Sequence, residues 1–125
     1  MNLNQVTVSS RNLKKAIAFY KQLGLKLIVD ALPRYARFLC PDGDATFSIH
    51  LNESMQNNDN TTIYFEDDNL ESLVIQLQQK GITFTSQPED KSWLWKEAKL
   101  LDPDGNQIIL FKAGNNRIHP PWRID

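Results

Sequence analysis

The chain has 125 residues, 41% of them hydrophobic, and 14 Lys and Arg against 15 Asp and Glu give a formal net charge of -1. That balance argues against nucleic acid or an anionic membrane as the main partner, and the length suits a single domain with a sizeable core. The lone Cys40 rules out an intramolecular disulfide and fits a reducing cytoplasm. MNLNQVTVSS lacks the basic and apolar regions of a secretory signal, and no apolar run approaches the length of a membrane span, so a cytoplasmic protein is expected.

Residues 3–9 open with alternation, Val6 and Val8 on one side and Gln5, Thr7 and Ser9 on the other, the pattern of a strand with one buried face. Asn12 stands where an N-cap belongs, and Leu13, Ala16, Ile17, Tyr20 and Leu23 recur at helical spacing up to Gly24, a residue suited to a left-handed stop. A strand follows over 26–30. A hairpin comes next, its arms 35–40 and 45–52 joined by Pro41-Asp42-Gly43-Asp44, residues with strong turn chemistry. The polar stretch 53–60 reads as a linker.

The pattern then restarts. Residues 4–27 lie without a gap on residues 61–84, Asn12 on Asn69, Leu13 on Leu70 and Gly24 on Gly81, with the apolar positions in step. The second copy predicts a strand, a helix near 70–80 capped at Asn69, a further strand, a loop over 87–92, and a hairpin that turns at Asp102-Pro103-Asp104-Gly105-Asn106. Two tandem βαβββ units, about 1–52 and 61–112, therefore make an α+β domain, with residues 113–125 as a tail that packs on the surface.

Two such units, the N-L-x-x-A-I-A-F-Y-x-x-L-G-L helix and the L-D-P-D-G-N-Q-I-I-L hairpin together resemble the vicinal-oxygen-chelate superfamily of glyoxalases, bleomycin-resistance proteins and extradiol dioxygenases. The Trp93–Ala98 segment and the Pro-Pro-Trp-Arg tail are similar to a bacterial-type branch of it. The resemblance implies a curved mixed sheet closing around a cup, helices on its outer face, a small-molecule ligand and a homodimer. It also implies four metal-ligand positions, which fall here on Gln5, Ser48, Thr62 and Ile109. Gln5 fits. Ser48 and Thr62 are poor neutral ligands and Ile109 has no donor atom, so the inherited metal site is broken and no metal cofactor is expected.

Alternation and hairpin symmetry nominate other inward residues. Arg37 falls opposite Ser48, Tyr35 opposite His50, Glu97 opposite Phe111 and Lys99 opposite Ile109. Gln5, Arg37, His50, Tyr64, Trp95 and Glu97 are the candidate substrate-binding residues, and no catalytic residue is assigned. Each has a plain structural reading beside it: a hydrogen-bonded imidazole for His50, an ion pair with Lys99 or Arg37 for Glu97, core packing for Trp95. The leading expectation is a binding protein for a small anionic or carbonyl-bearing molecule. The alternative is a metal-dependent lyase or dioxygenase whose displaced site uses Gln5, His50 and Glu97 or Glu66.

Overall fold

A computed structural model describes residues 1–124. Ten elements follow in chain order: β1 (Gln5–Ser10), α1 (Leu13–Leu23), β2 (Lys26–Ala31), β3 (Tyr35–Leu39), β4 (Thr46–Leu51), β5 (Thr62–Glu66), α2 (Leu70–Gln79), β6 (Ser86–Asp90), β7 (Lys96–Leu101) and β8 (Gln107–Lys112). Short 3-10 turns cover Asn57–Asp59 and Gly114–Asn116. The strands form two four-stranded mixed sheets, ordered β1-β4-β3-β2 and β5-β8-β7-β6, in which the first and last strands of each unit pair in parallel. This is the α+β architecture of two βαβββ units. Among the described residues no helix is long and apolar enough to cross a membrane.

The chain divides into two compact units. The first holds Met1–Thr61 together with Asp102–Asn106; the second holds Thr62–Leu101 and the chain from Gln107 onward. In the first, Asn12 caps α1 by accepting from the Lys15 amide at 3.2 Å, and Gly24 closes the helix with a φ of 113°. The apolar stripe of α1 is buried, as are Ala36, Phe38, Phe47 and Ile49 of the sheet. Tyr20 lies at its centre, its ring 4.6 Å from Phe47 and 6.0 Å from Phe38. Each fully buried large side chain contributes about 1.5–3 kcal/mol, so this face supplies much of the unit's stability.

The buried Tyr20 hydroxyl needs a partner and finds it far along the chain. It donates to Asp102 Oδ2 at 2.6 Å. Asp102 also accepts from the amides of Asp104 and Asn106 and from Asn106 Nδ2. Asn106 in turn donates to Ser9 O and accepts from the Thr61 amide, while Arg11 binds Asp104. The turn read as ordinary hairpin chemistry thus carries a buried polar network, whereas its counterpart Asp42-Gly43-Asp44 is exposed.

In the second unit α2 buries Leu70, Val74 and Leu77, and the sheet buries Ala98, Leu100, Ile108 and Leu110. Three expectations need correction here. The side chain of Asn69 makes no cap hydrogen bond, and its backbone, at φ -104° and ψ 49°, lies outside the extended conformation from which Asn12 caps α1. The span 87–92 is not all loop: β6 runs through it. Gln87-Pro88 misleads because proline cannot donate to a ladder. Here, however, β6 ends its sheet and its register slips between Ser86 and Glu89, so Pro88 falls where no donor is required. Residues 82–85 are correspondingly not strand. The 53–60 stretch is also more than a linker, since Met55 is buried and its carbonyl accepts from Arg11 Nε at 3.0 Å.

Candidate functional site

In the first unit the face of the sheet turned away from α1 is polar. The antiparallel register sets Arg37 opposite Ser48 and Tyr35 opposite His50, as a hairpin symmetric about its turn requires. One hydrogen-bonded chain crosses three strands. Thr46 Oγ1 donates to Gln5 Oε1, Gln5 Nε2 donates to Ser48 Oγ at 2.6 Å, Ser48 Oγ meets Tyr35 OH at 2.6 Å, and Arg37 Nε donates to Tyr35 OH at 2.9 Å. The Arg37 guanidinium carbon also lies 5.5 Å from the centre of the Tyr35 ring. Arg37 is exposed and pairs with no carboxylate among the described residues. His50 is exposed at the end of this face, 3.5 Å from Ser9 Oγ, and outside the chain.

The electrostatics follow from these contacts. Burial alone raises the Tyr35 phenol, but the hydrogen bonds with Ser48 and Arg37 and the Arg37 charge outweigh it and set the group below its ordinary value of 10.0. Tyr35, Thr46 and Ser48 are not among the expected binding residues, although Ser48 is expected on this face opposite Arg37. Strand parity already placed all three on this face. Their linkage depends on side-chain positions that parity does not give.

In the second unit the corresponding face is aromatic. Trp95 stacks on Phe111 at 4.6 Å, and Tyr64 meets Trp95 and Phe111 edge-on at 6.0 and 5.7 Å. Trp95 Nε1 reaches Asn116 O at 3.3 Å, so the indole is tied into the start of the tail. Tyr64 remains half exposed. Glu97 is buried and faces Phe111 in register, but neither Lys99 nor Arg37 is its partner; Trp93 Nε1 donates to its Oε2 at 2.8 Å. Glu66 accepts from the Ala113 amide and from Arg117 Nε. A groove lined by Glu71, Asp90, Leu94, Lys96 and Lys112 also opens on this unit. Its central Lys96 is already held by Glu71 at 2.7 Å, and it includes none of the aromatic residues above.

Of the four positions that carry metal ligands in the resembled superfamily, Gln5, Ser48 and Ile109 do not suit a metal here. Ile109 is buried in an apolar cluster with Phe111, Ala113 and Trp95. Gln5 Oε1 and Ser48 Oγ are occupied by Thr46, and by Gln5 and Tyr35, respectively. Among the described residues no group of three or more His, Cys, Asp or Glu is placed to hold an ion.

Comparison with known proteins gives a consistent picture. The family model described as Glyoxalase/Bleomycin resistance protein/Dioxygenase superfamily matches residues 2–110. A trivalent organoarsenical cleaving enzyme of Bacillus sp. (strain MD1) is 27% identical over 137 residues, spanning 97% of this chain and 81% of that protein. Among solved structures, a bleomycin-binding protein complexed with bleomycin superposes with a TM-score of 0.73 at 22% identity, over 90% of this chain and 98% of that one. A lactoylglutathione lyase from Agrobacterium tumefaciens superposes with a TM-score of 0.77 at 16% identity, over 94% and 96%.

Proposed function

Because the chain belongs to the glyoxalase/bleomycin resistance protein/dioxygenase superfamily, we propose that it binds a small molecule bearing an anionic or carbonyl oxygen, without using the superfamily's metal positions. One observation carries this reading. The polar face of the first unit ends in an exposed guanidinium that has a tyrosine hydroxyl on its Nε and no carboxylate partner among the described residues. Such a fork suits a planar oxyanion better than a lysine would. Gln5 and Ser48 hold Tyr35 and so fix the plane in which Arg37 lies, while His50 extends the polar surface. In the second unit Tyr64, Trp95 and Phe111 form an apolar shelf that suits an aromatic or unsaturated group, with Glu97 held in place by Trp93.

Support from relatives is limited to class. A related fold binds bleomycin and a distant relative cleaves organoarsenicals, so small molecules are the shared theme, and neither compound carries over to this chain. The test is a thermal-shift screen of paired carboxylates and neutral isosteres, since a ligand selective for the folded state raises Tm. Carboxylates should stabilise selectively, and R37A should weaken them by about 1.5–3 kcal/mol, the range for hydrogen bonds to charged groups. Equal stabilisation by both classes, or an R37A protein that responds like wild type, would remove the reading. Elemental analysis after metal-supplemented expression should find no stoichiometric divalent ion; one ion per chain that disappears in H50A would favour the metal-dependent alternative. We further propose a homodimer, because each sheet ends in strands with an unpaired edge in its own unit. A monomer in sedimentation at micromolar concentration would count against it.

A further inference from the structure

Counting hydrogens along the polar chain of the first unit leaves one to spare. Gln5 Nε2 lies 3.2 Å from Val6 O, an atom that only accepts, so the amide nitrogen is fixed on that side and must donate to Ser48. At the other end Arg37 Nε can only donate to Tyr35. Ser48 and Tyr35 therefore each receive a hydrogen from outside the pair and bring one of their own. Their mutual contact at 2.6 Å uses just one of these two. Ser48 is wholly buried, and an O–H left pointing into that interior would go unsatisfied. Tyr35 is only partly buried. Burial thus decides the direction: Ser48 donates to Tyr35, and the phenolic hydrogen of Tyr35 points away from the chain.

We propose that Tyr35 is the specificity-determining donor of this face, its O–H binding one oxygen of a carboxylate whose other oxygen lies on Arg37. The inference rests on the reading that Arg37 holds an oxyanion, and it adds what that oxyanion must be. Tyr35 and Arg37 have no lone pair left to offer a ligand: both oxygen lone pairs of Tyr35 are taken by Ser48 and Arg37, and guanidinium has none. A ligand group that brings its own hydrogen, such as a protonated acid, an alcohol or an amide nitrogen, finds no acceptor there. A bare planar oxyanion with two acceptor oxygens satisfies both donors at once.

Benzoate is a suitable probe, its affinity for the full chain measured by calorimetry, with benzamide as the group that brings hydrogens. Wild type should take benzoate and reject benzamide. Y35F keeps the ring and removes the donor, and should weaken benzoate roughly ten- to a hundredfold. S48A provides the decisive control and does not depend on Y35F folding well. With Tyr35 already pointing outward, S48A frees no hydrogen and removes a contact that holds Tyr35, so it should bind benzoate no more tightly than wild type. If Tyr35 instead donates to Ser48 in wild type, S48A releases that hydrogen and benzoate binding tightens markedly, which overturns the proposal. Benzoate bound by wild type and weakened by R37A but indifferent to Y35F would overturn it while leaving the Arg37 reading intact. No benzoate binding at all would remove both.

Discussion

Replacing Tyr20 by phenylalanine deletes one oxygen and tests whether the Asp102 turn stabilises the first unit. The ring stays, so its packing on Phe47 and Phe38 is kept and no cavity larger than a hydroxyl forms. The 2.6 Å bond to a carboxylate that is only 5% exposed is lost. Hydrogen bonds to charged groups contribute about 1.5–3 kcal/mol. Asp102 keeps three other donors, the Asp104 and Asn106 amides and Asn106 Nδ2, which argues for the lower half of that range, about 2 kcal/mol. For a chain of this length that lowers Tm by roughly 6–10 °C. Urea unfolding followed by circular dichroism should give a lower midpoint with an unchanged slope. D102A, which strands four donors at once, should cost more than Y20F. A Y20F protein within about 0.5 kcal/mol of wild type, the scatter of an uninvolved surface change, would refute the reasoning.

Helix capping gives a paired prediction: N12A should lose about 1 kcal/mol, while N69A, whose side chain makes no cap bond, should stay within about 0.5 kcal/mol in the same urea assay. G105A should cost more than G43A. Both glycines have positive φ and share a backbone penalty of about 1–2 kcal/mol, but only at Gly105 would the new Cβ meet Asn60 Nδ2, at 2.8 Å, where that group donates to Asp104 O. On the alkaline side the two tyrosines act in opposite directions. Tyr35 ionises in the native state below the ordinary 10.0, so the unfolded chain binds the extra proton across that window and stability rises with pH up to about 10. Tyr20, raised first by burial and then by the charge and hydrogen bond of Asp102, keeps its proton where the unfolded chain loses it, so stability falls above pH 10. Urea midpoints from pH 8 to 11 should lose the rise in Y35F and the fall in Y20F; parallel curves for all three proteins would contradict both assignments.

The repeat, the first helix with its Asn12 cap and the hairpin register that opposes Arg37 and Ser48 are legible in the sequence because each depends on local periodicity. Strand parity runs at two residues and helix burial near 3.6, and both survive without knowledge of the partner. Parity says nothing where the backbone leaves the strand: Leu94 has a φ of 68°, so alternation gives no warning of the bond from the Trp93 indole to Glu97. Asn69 matches Asn12 in the alignment yet does not cap, its backbone having left the extended conformation that an N-cap side chain needs. Tyr20 within an apolar stripe reads as core, and Asp102 within Asp-Pro-Asp-Gly reads as a turn; nothing local links them. The Ser48–Tyr35 contact is equally invisible to pattern, since it depends on rotamers of side chains that parity places only on a face.

The Tyr20–Asp102 bond spans 82 positions of sequence, and that separation also orders events in time. A chain made from its N-terminus has residues 1–61 in hand well before Asp102–Asn106, the segment those residues fold around. At about 5–20 residues per second, translation of the intervening stretch takes roughly 2–8 s. Throughout that interval the Tyr20 hydroxyl, the Ser9 carbonyl and the Thr61 amide lack the partners they have in the folded unit. Closing the long loop then carries an entropic cost that grows by only about 0.6 kcal/mol per doubling of length, so the delay weighs on rate far more than on final stability. The first copy of the repeat is therefore completed only when synthesis has reached Asn106, just before Gln107–Lys112 supplies the last strand of the second.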